Sequence, residues 1–428
     1  AGTSTGIVTI KSGAVLLISG TGLSIPNPIT FQVGGSITDN NATGGNTLAG
    51  AITLATGTNT INVNGSTANV LTLSGIVSSG GAVTLNKTGV GVLALTNTNT
   101  FTGTTNINAG TIRLITNAAA LNNTNVVVNV NPGATLDISN ALGASFTNTL
   151  NMSSATLLVS GTNTLATGNL TLSGNNVIDS SGTLTISKTM SGNGTLSFIN
   201  AAGTVIMTGT NNYTGAINLA AGTLTVGNAS GLGTGVLNLN GGTLNANGTF
   251  TLANTSFTVG GVEIIGGSNN ITLPTGTINS TGQLTISNSA TTNFNGALSG
   301  NGNLIISAGT TQLSVSNASY SGNITLNGGT LQVNTTSASP LGTGTLNLNG
   351  GILLANVNNT IANNWTLGGN TTINGSGNVS FTGNGEVLSG NTLTLSRTGT
   401  TAFNGSLNGA GNITNSAGAV TFAGTSPG

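Results

Sequence analysis

The sequence predicts an all-β solenoid. Three observations carry that prediction: short aliphatic runs that alternate with period two, Gly- and Asn-rich turns between them, and internal repetition on two length scales.

The alternating runs come first. Val83-Thr84-Leu85, Leu170-Thr171-Leu172, Thr183-Leu184-Thr185-Ile186 and Leu393-Thr394-Leu395 place one aliphatic residue at every second position. Successive side chains of a strand point to opposite faces, so such runs bury one face and wet the other. No stretch holds an apolar helical face for three turns. The turns follow every few residues, as at Gly80-Gly81, Gly241-Gly242 and Gly350-Gly351. They are short and rich in residues that tolerate tight bends.

Composition sharpens the fold class. The chain has 428 residues, with 69 Gly, five basic and five acidic residues, and neither His nor Cys. Low charge and high Gly would suit disorder, but the recurring Val, Ile, Leu and Thr do not. A hydrophobic share of 36% supports a thin core, which is what stacked repeats require.

Repetition sets the unit. Asn212-Tyr213-Thr214-Gly215, then Ile217 and Ala221-Gly222-Thr223-Leu224, recurs as Thr100-Phe101-Thr102-Gly103 with Ile107 and Ala109-Gly110-Thr111-Ile112. It recurs again as Ser319-Tyr320-Ser321-Gly322 with Ile324 and Gly328-Gly329-Thr330-Leu331, and more faintly from Ser4. Gly6, Gly103, Gly215 and Gly322 follow one another at intervals of roughly 97–112 residues. Gly242 and Gly351, like Phe294 and Phe403, are separated by about 109 residues. A super-repeat of about 110 residues therefore spans approximately 6–102, 103–214, 215–321 and 322–428 of one continuous solenoid. Within it, Thr111-Ile112-Arg113-Leu114 matches Thr135-Leu136-Asp137-Ile138 after about 24 residues, and Thr223-Leu224 matches Thr243-Leu244 after about 20 residues. One coil is thus expected to take about 20–24 residues, with roughly twenty coils stacked about 4.8 Å apart. Stacked Asn is expected to form side-chain ladders in the turns.

The chain opens Ala1-Gly2-Thr3-Ser4-Thr5-Gly6 and closes Ala423-Gly424-Thr425-Ser426-Pro427-Gly428, in the same phase and without a signal peptide. This suggests a mature or excised piece, continuing into further repeats or stacking on identical copies, because uncapped solenoid ends expose unpaired strand edges.

The pattern Gly-Thr-Asn-x-Tyr/Phe-Thr/Ser-Gly followed by a short strand, Ala-Gly-Thr-Leu and a valine strand resembles the autotransporter-associated β-strand repeat, also called the passenger-associated transport repeat. The fullest match is Gly209-Thr210-Asn211-Asn212-Tyr213-Thr214-Gly215 through Gly222-Thr223-Leu224-Thr225-Val226; Thr96–Leu114 and Ser316–Val333 follow it. The resemblance implies a right-handed parallel β-helix passenger at the bacterial cell surface, exported through an outer-membrane barrel that this sequence lacks. It brings no catalytic residues.

The chemistry-bearing residues are few. Without His or Cys, the usual general bases and soft metal ligands are missing. The acids are Asp39, Asp137, Asp179, Glu263 and Glu386. Asp39 and Asp137 share a phase, but four or five coils separate them, roughly 20 Å, too far for a carboxylate pair. Arg113 and Asp137 fall one coil apart and are expected to form a surface salt bridge of small value. Lys188, Asn288 and Arg397 occupy equivalent positions, and a site accepting Lys, Asn or Arg is expected to face solvent. Lys11, Lys87, Lys188 and Arg397 are dispersed, so no basic stripe for nucleic acid exists. Gly2-Thr3-Ser4-Thr5-Gly6 and Gly424-Thr425-Ser426-Pro427-Gly428 mimic a nucleophile elbow, but lack a following helix and a His. No calcium-roll pattern or membrane-spanning run appears. No catalytic, cofactor-binding or metal-ligating residue is expected.

Three functions compete. The first is a non-enzymatic structural solenoid stacked end to end with further repeats. The second is an adhesin binding surface glycans, with an exposed aromatic such as Trp365 as the platform. The third is an ice-binding array of Thr-x-Thr runs, which needs one azimuth over many coils.

Overall fold

The computed structural model describes residues 6–115, 121, 126–140 and 145–424, with only the backbone of Asn140. The terminal residues 1–5 and 425–428, on which the in-phase ends and both elbow-like strings rest, lie outside the described residues. The described chain is all strand and turn, with no helix, wound into a β-solenoid of about 19 turns at about 21 residues per turn. The coil length read from the sequence brackets that value.

The chain divides into two compact units, residues 1–216 and 217–428. In the first, a four-stranded parallel ladder runs through Val8–Ile10, Ile29–Phe31, Ile52–Leu54 and Val77–Ser79. A nine-stranded ladder starts at Val15–Ile18 and ends at Thr189–Gly192. A third face carries Asn69–Leu73, Val92–Leu95, Thr111–Ile115, Thr135–Asn140 and Thr156–Val159 in order. In the second unit, a nine-stranded ladder runs from Phe250–Thr251 to Asn412–Ala417. A four-stranded one joins Asn359–Ile361, Val379–Phe381, Thr401–Phe403 and Val420–Phe422. The coil equivalences read from sequence are register partners: Arg113 stands beside Asp137, and Thr223-Leu224 beside Thr243-Leu244.

Period-two alternation explains the cross-section. Leu170 and Leu172 are fully buried while Thr171 between them is exposed. In the next rung Met190 lies beside Leu170 and Ser191 beside Thr171. Each rung thus adds one narrow layer of Leu, Ile and Val, and the backbone hydrogen bonds run between rungs, so no rung needs a broad core of its own.

Large inward rings impose a rule on the next rung. Trp365 stands in register with Gly385, and Phe257 with Gly276. A Cβ added at either glycine would overlap the ring beside it. Beyond Trp365, rings also stack on rings: Phe381 and Phe403 are register partners with centroids 5.3 Å apart and planes within 14°.

Candidate functional site

Charge is the scarcest chemical resource in this chain, so the placement of its ten charged residues decides what a site can be made of. Only Lys11 and Glu386 are well exposed; Arg113 and Asp179 are half-buried; Asp39, Lys87, Asp137, Lys188, Glu263 and Arg397 are buried.

The expected solvent-facing position of Lys188, Asn288 and Arg397 is wrong. Lys188 and Asn288 are 0% exposed and Arg397 is 2% exposed. The reason lies in the alternation itself. Leu184 and Ile186 point inward, and Lys188 continues that parity; so do Asn288 after Leu284 and Ile286, and Arg397 after Leu393 and Leu395. Lys87 follows Val83 and Leu85 in the same way. These residues fall where the strand ends and the backbone bends, turning carbonyls inward that no strand satisfies. Lys87 Nζ donates to the carbonyls of Thr88 (2.9 Å), Gly89 (2.7 Å) and Ala109 (3.0 Å), which fills the capacity of an ammonium group. Lys188 Nζ donates to the carbonyls of Asn148 and Thr167, both at 2.6 Å, and stands 5.7 Å from the centre of the Phe146 ring. Asn148 and Thr167 lie 40 and 21 residues back, so Lys188 ties its own rung to the two before it. Arg397 donates through Nη2 to the Gly377 carbonyl. Burial lowers the pKa of both Lys87 and Lys188 to about 8, and lowers that of Arg397.

The acids are equally engaged. Asp39 is fully buried and accepts from the side-chain amides of Asn41 and Asn46. Arg113 Nε lies 2.7 Å from Asp137 Oδ2, so the predicted pair forms, with the arginine side chain 33% and the aspartate 3% exposed. Asp137 and Asp179 lie on one ladder two rungs apart, with Leu158 between them. Two rungs span about 9.6 Å, at the upper limit for a carboxylate pair. Asn200 Nδ2 donates to Asp179 Oδ1 at 2.7 Å, and Arg113 already occupies Asp137. Asp39 lies on Ser36–Asp39, four rungs from the rung of Asp137 by way of the ladder through Val126–Val130, as the spacing predicts.

Glu263 is the exception. It sits on Phe257–Ile265 with its side chain inward, between Gly242 and Leu284, while Val262 and Ile264 face out. Neither carboxyl oxygen makes a hydrogen bond of normal geometry. Desolvation raises its pKa to about 8, against a smaller opposing pull from the backbone at Gly241.

The repeated motif is a corner device. Its asparagine accepts a backbone N–H from the preceding rung: Asn99 from Val77 (2.8 Å), Asn211 from Met190 (2.7 Å) and Asn317 from Leu298 (2.7 Å). Its aromatic is inside, with Phe101 1% and Tyr213 and Tyr320 0% exposed. Tyr213 donates to the Gly194 carbonyl, and Tyr320 to the Gly302 carbonyl at 2.8 Å. Trp365, expected as an exposed platform, is buried at 2%. The aromatic residues Phe101, Tyr213, Phe294, Tyr320, Trp365 and Phe403 are all core, so a glycan platform built on them is overturned.

The surface carries neutral ladders instead. Asn106 Nδ2 donates to Asn86 Oδ1, Asn129 to Asn106 and Asn151 to Asn129, each at 2.8 Å. This ladder lies on strands, because register alignment repeats a strand position at every rung; the expected turn stacks form as well, with Asn131 Nδ2 donating to Asn108 Oδ1 (2.6 Å) and Asn349 to Asn327 (3.1 Å). One groove of about 600 Å³ is lined by Thr336, Asn358, Thr360, Asn378, Ser380 and Thr400 among others. Asn358 Oδ1 accepts from the Asn378 amide (2.8 Å) and Asn378 Oδ1 from that of Thr400 (2.9 Å), so both side chains are oriented by the next rung. Among the described residues, no cluster of acids could hold a metal ion, and no helix is long and apolar enough to cross a membrane.

Fold and site together define a parallel β-solenoid whose recurring polar and aromatic residues serve its own corners. Comparison with known proteins places that architecture: residues 85–114, 202–226 and 299–333 match the family described as the passenger-associated-transport-repeat. The three segments contain Phe101, Tyr213 and Tyr320 with the glycines that follow them, so the unit that matches the family is the corner just described. No curated protein and no solved structure matches the chain.

Proposed function

We propose that this chain is a non-enzymatic structural segment of an autotransporter-type passenger at the bacterial surface, able to stack with further repeats of the same kind. The observation that supports this best is the direction of its reactive groups. Lys87, Lys188, Arg397, Tyr213 and Tyr320 point inward and hold backbone carbonyls, whereas the outer ladders are neutral Asn, Thr and Ser. Parallel rungs offer unpaired edges wherever a stack is interrupted, which favours continuation with more rungs. The test is display. The chain is placed between a secretion signal and an outer-membrane autotransporter barrel, and surface exposure is read by antibody labelling of intact cells. Labelled cells carrying a protease-resistant product support the reading; retention in the periplasm as a degraded chain would sink it. Filaments with a regular axial repeat in electron micrographs of the purified chain would support stacking, and a strictly monomeric species at high concentration would refute it.

The Thr336–Thr400 groove favours a second reading, adhesion to neutral glycans, because its lining offers hydrogen-bonding groups and no charge. A glycan-array signal abolished by Asn358→Ala with Asn378→Ala would support it. A blank array, or one unchanged by the double variant, would remove it.

A further inference from the structure

We propose that Asn374-Gly375 is a self-modifying site, at which the folded chain converts an asparagine amide into a carboxylate. Twelve Asn-Gly pairs occur in the sequence. Glycine offers little steric resistance when its nitrogen attacks the preceding side chain, so the dipeptide supplies the chemistry everywhere; the fold decides where it can act. At Gly194, Gly302, Gly328, Gly385 and Gly405 the glycine N–H donates to a backbone carbonyl of another rung. Asn349 and Asn404 have their side-chain amides tied to Asn327 and Ser380. Gly375 differs: its N–H donates to the side chain of the residue just before it, with N to Asn374 Oδ1 at 2.7 Å. A carbonyl bond is about 1.23 Å, so the nitrogen lies within about 4 Å of Cγ, close to the separation from which a positioned nucleophile reacts. Gly375 holds φ at 119°, a conformation that the absence of a side chain permits. Asn374 is half-buried on the outward face of Thr371–Gly375, between Leu354 and Ser396 of the adjoining rungs, within reach of water.

The step balances without any oxidant or reductant. Gly375 N loses its proton to water or hydroxide and forms a bond to Cγ of Asn374. The Cγ–Nδ2 bond breaks and nitrogen leaves as ammonia, taking the proton it needs from solvent, to leave a five-membered succinimide. One water molecule then opens either carbonyl, giving aspartate or isoaspartate. The product places a negative charge on a ladder whose neighbours, Leu354 and Ser396, carry none. The isoaspartyl form also adds a methylene to the backbone, and that extra atom breaks the register of one rung with both neighbours.

The test is incubation of the full chain in mildly alkaline buffer, with peptide mapping by mass spectrometry over time. Amide-to-acid conversion at Asn374 is expected on the order of tenfold faster than at Asn327 or Asn384, as positioning effects on this scale allow. In concentrated urea the preference should vanish, because unfolded Asn-Gly pairs are equivalent. Asn374→Gln should remove the signal at that position, because its longer side chain would have to close a larger ring, and it should leave the circular dichroism of the chain unchanged. Equal rates at all Asn-Gly pairs in the native chain, or a preference for Asn374 that survives in urea, would overturn the proposal.

Discussion

Glu263 makes residues 217–428 sensitive to alkali through one group. That unit contains no Lys, His or Cys, and its only charged residues are Glu263, Glu386 and Arg397. Glu386 is exposed, and burial moves the Tyr320 hydroxyl upward, away from neutrality. Glu263 is buried between Gly242 and Leu284, neither of which can compensate a charge. With its pKa raised from an ordinary 4.5 to about 8, the folded state binds more protons than the unfolded state between those values. Stability is therefore highest below the lower value, falls as pH rises through the interval, and levels off above about 8. The full separation corresponds to at most about 5 kcal/mol, and water reaching the ionised group would reduce it to about 2–3 kcal/mol. Trp365, the only tryptophan, lies in the same unit and supplies the signal. Urea unfolding followed by its fluorescence should show a midpoint that falls steadily from mildly acidic to mildly alkaline pH. Glu263→Gln should flatten that dependence, and Glu386→Gln should leave it intact. A wild-type midpoint independent of pH, or an equal slope in Glu263→Gln, refutes the assignment of a neutral buried acid.

Lys87→Met leaves three inward carbonyls without a donor and should cost about 3 kcal/mol or more in chemical denaturation, against about 1–3 kcal/mol for Arg113→Ala, which strips one oxygen of the buried Asp137 while the Ser139 N–H stays on the other. Because burial lowers the Lys87 and Lys188 pKa values to about 8, the unfolded chain binds more protons above that point. The stability of residues 1–216 should accordingly rise above about pH 8, until Tyr213, whose pKa burial raises from its ordinary 10.0, begins to oppose the rise near pH 10; a thermal scan series can read both. Asn129→Leu, in the middle of its ladder, removes two side-chain hydrogen bonds where Asn151→Leu removes one, so its loss of stability should be about twice as large, on the order of 2 kcal/mol. Gly385→Ala forces a methyl into the Trp365 ring and should cost about 1–3 kcal/mol with a shifted Trp emission maximum, where Gly390→Ala meets no neighbouring atom and should leave the emission maximum unchanged.

The solenoid was legible because its information is one-dimensional. Period-two alternation assigns each side chain to inside or outside, and repetition at one-coil spacing assigns each strand its neighbour. Arg113 beside Asp137 and Thr223 beside Thr243 follow from those two rules alone. The same alternation, carried one step further, would have put Lys87, Lys188 and Arg397 inside. Charge and variability argued the opposite, and they lost because a strand's parity does not stop at a polar residue. What the sequence could not supply was the demand at the corners. Which carbonyls turn inward depends on how the backbone bends between faces, and only the tertiary structure shows Lys87 meeting three of them or Glu263 meeting none. Trp365 illustrates the remaining gap. An aromatic residue in a polar chain is equally consistent with a binding platform and with a core ring, and the neighbouring Gly385 settles the matter through a packing constraint between residues one rung apart. Local chemistry determined the rungs; the stacking of one rung on another decided which of their polar groups are structural, because that is where buried donors and acceptors must find one another.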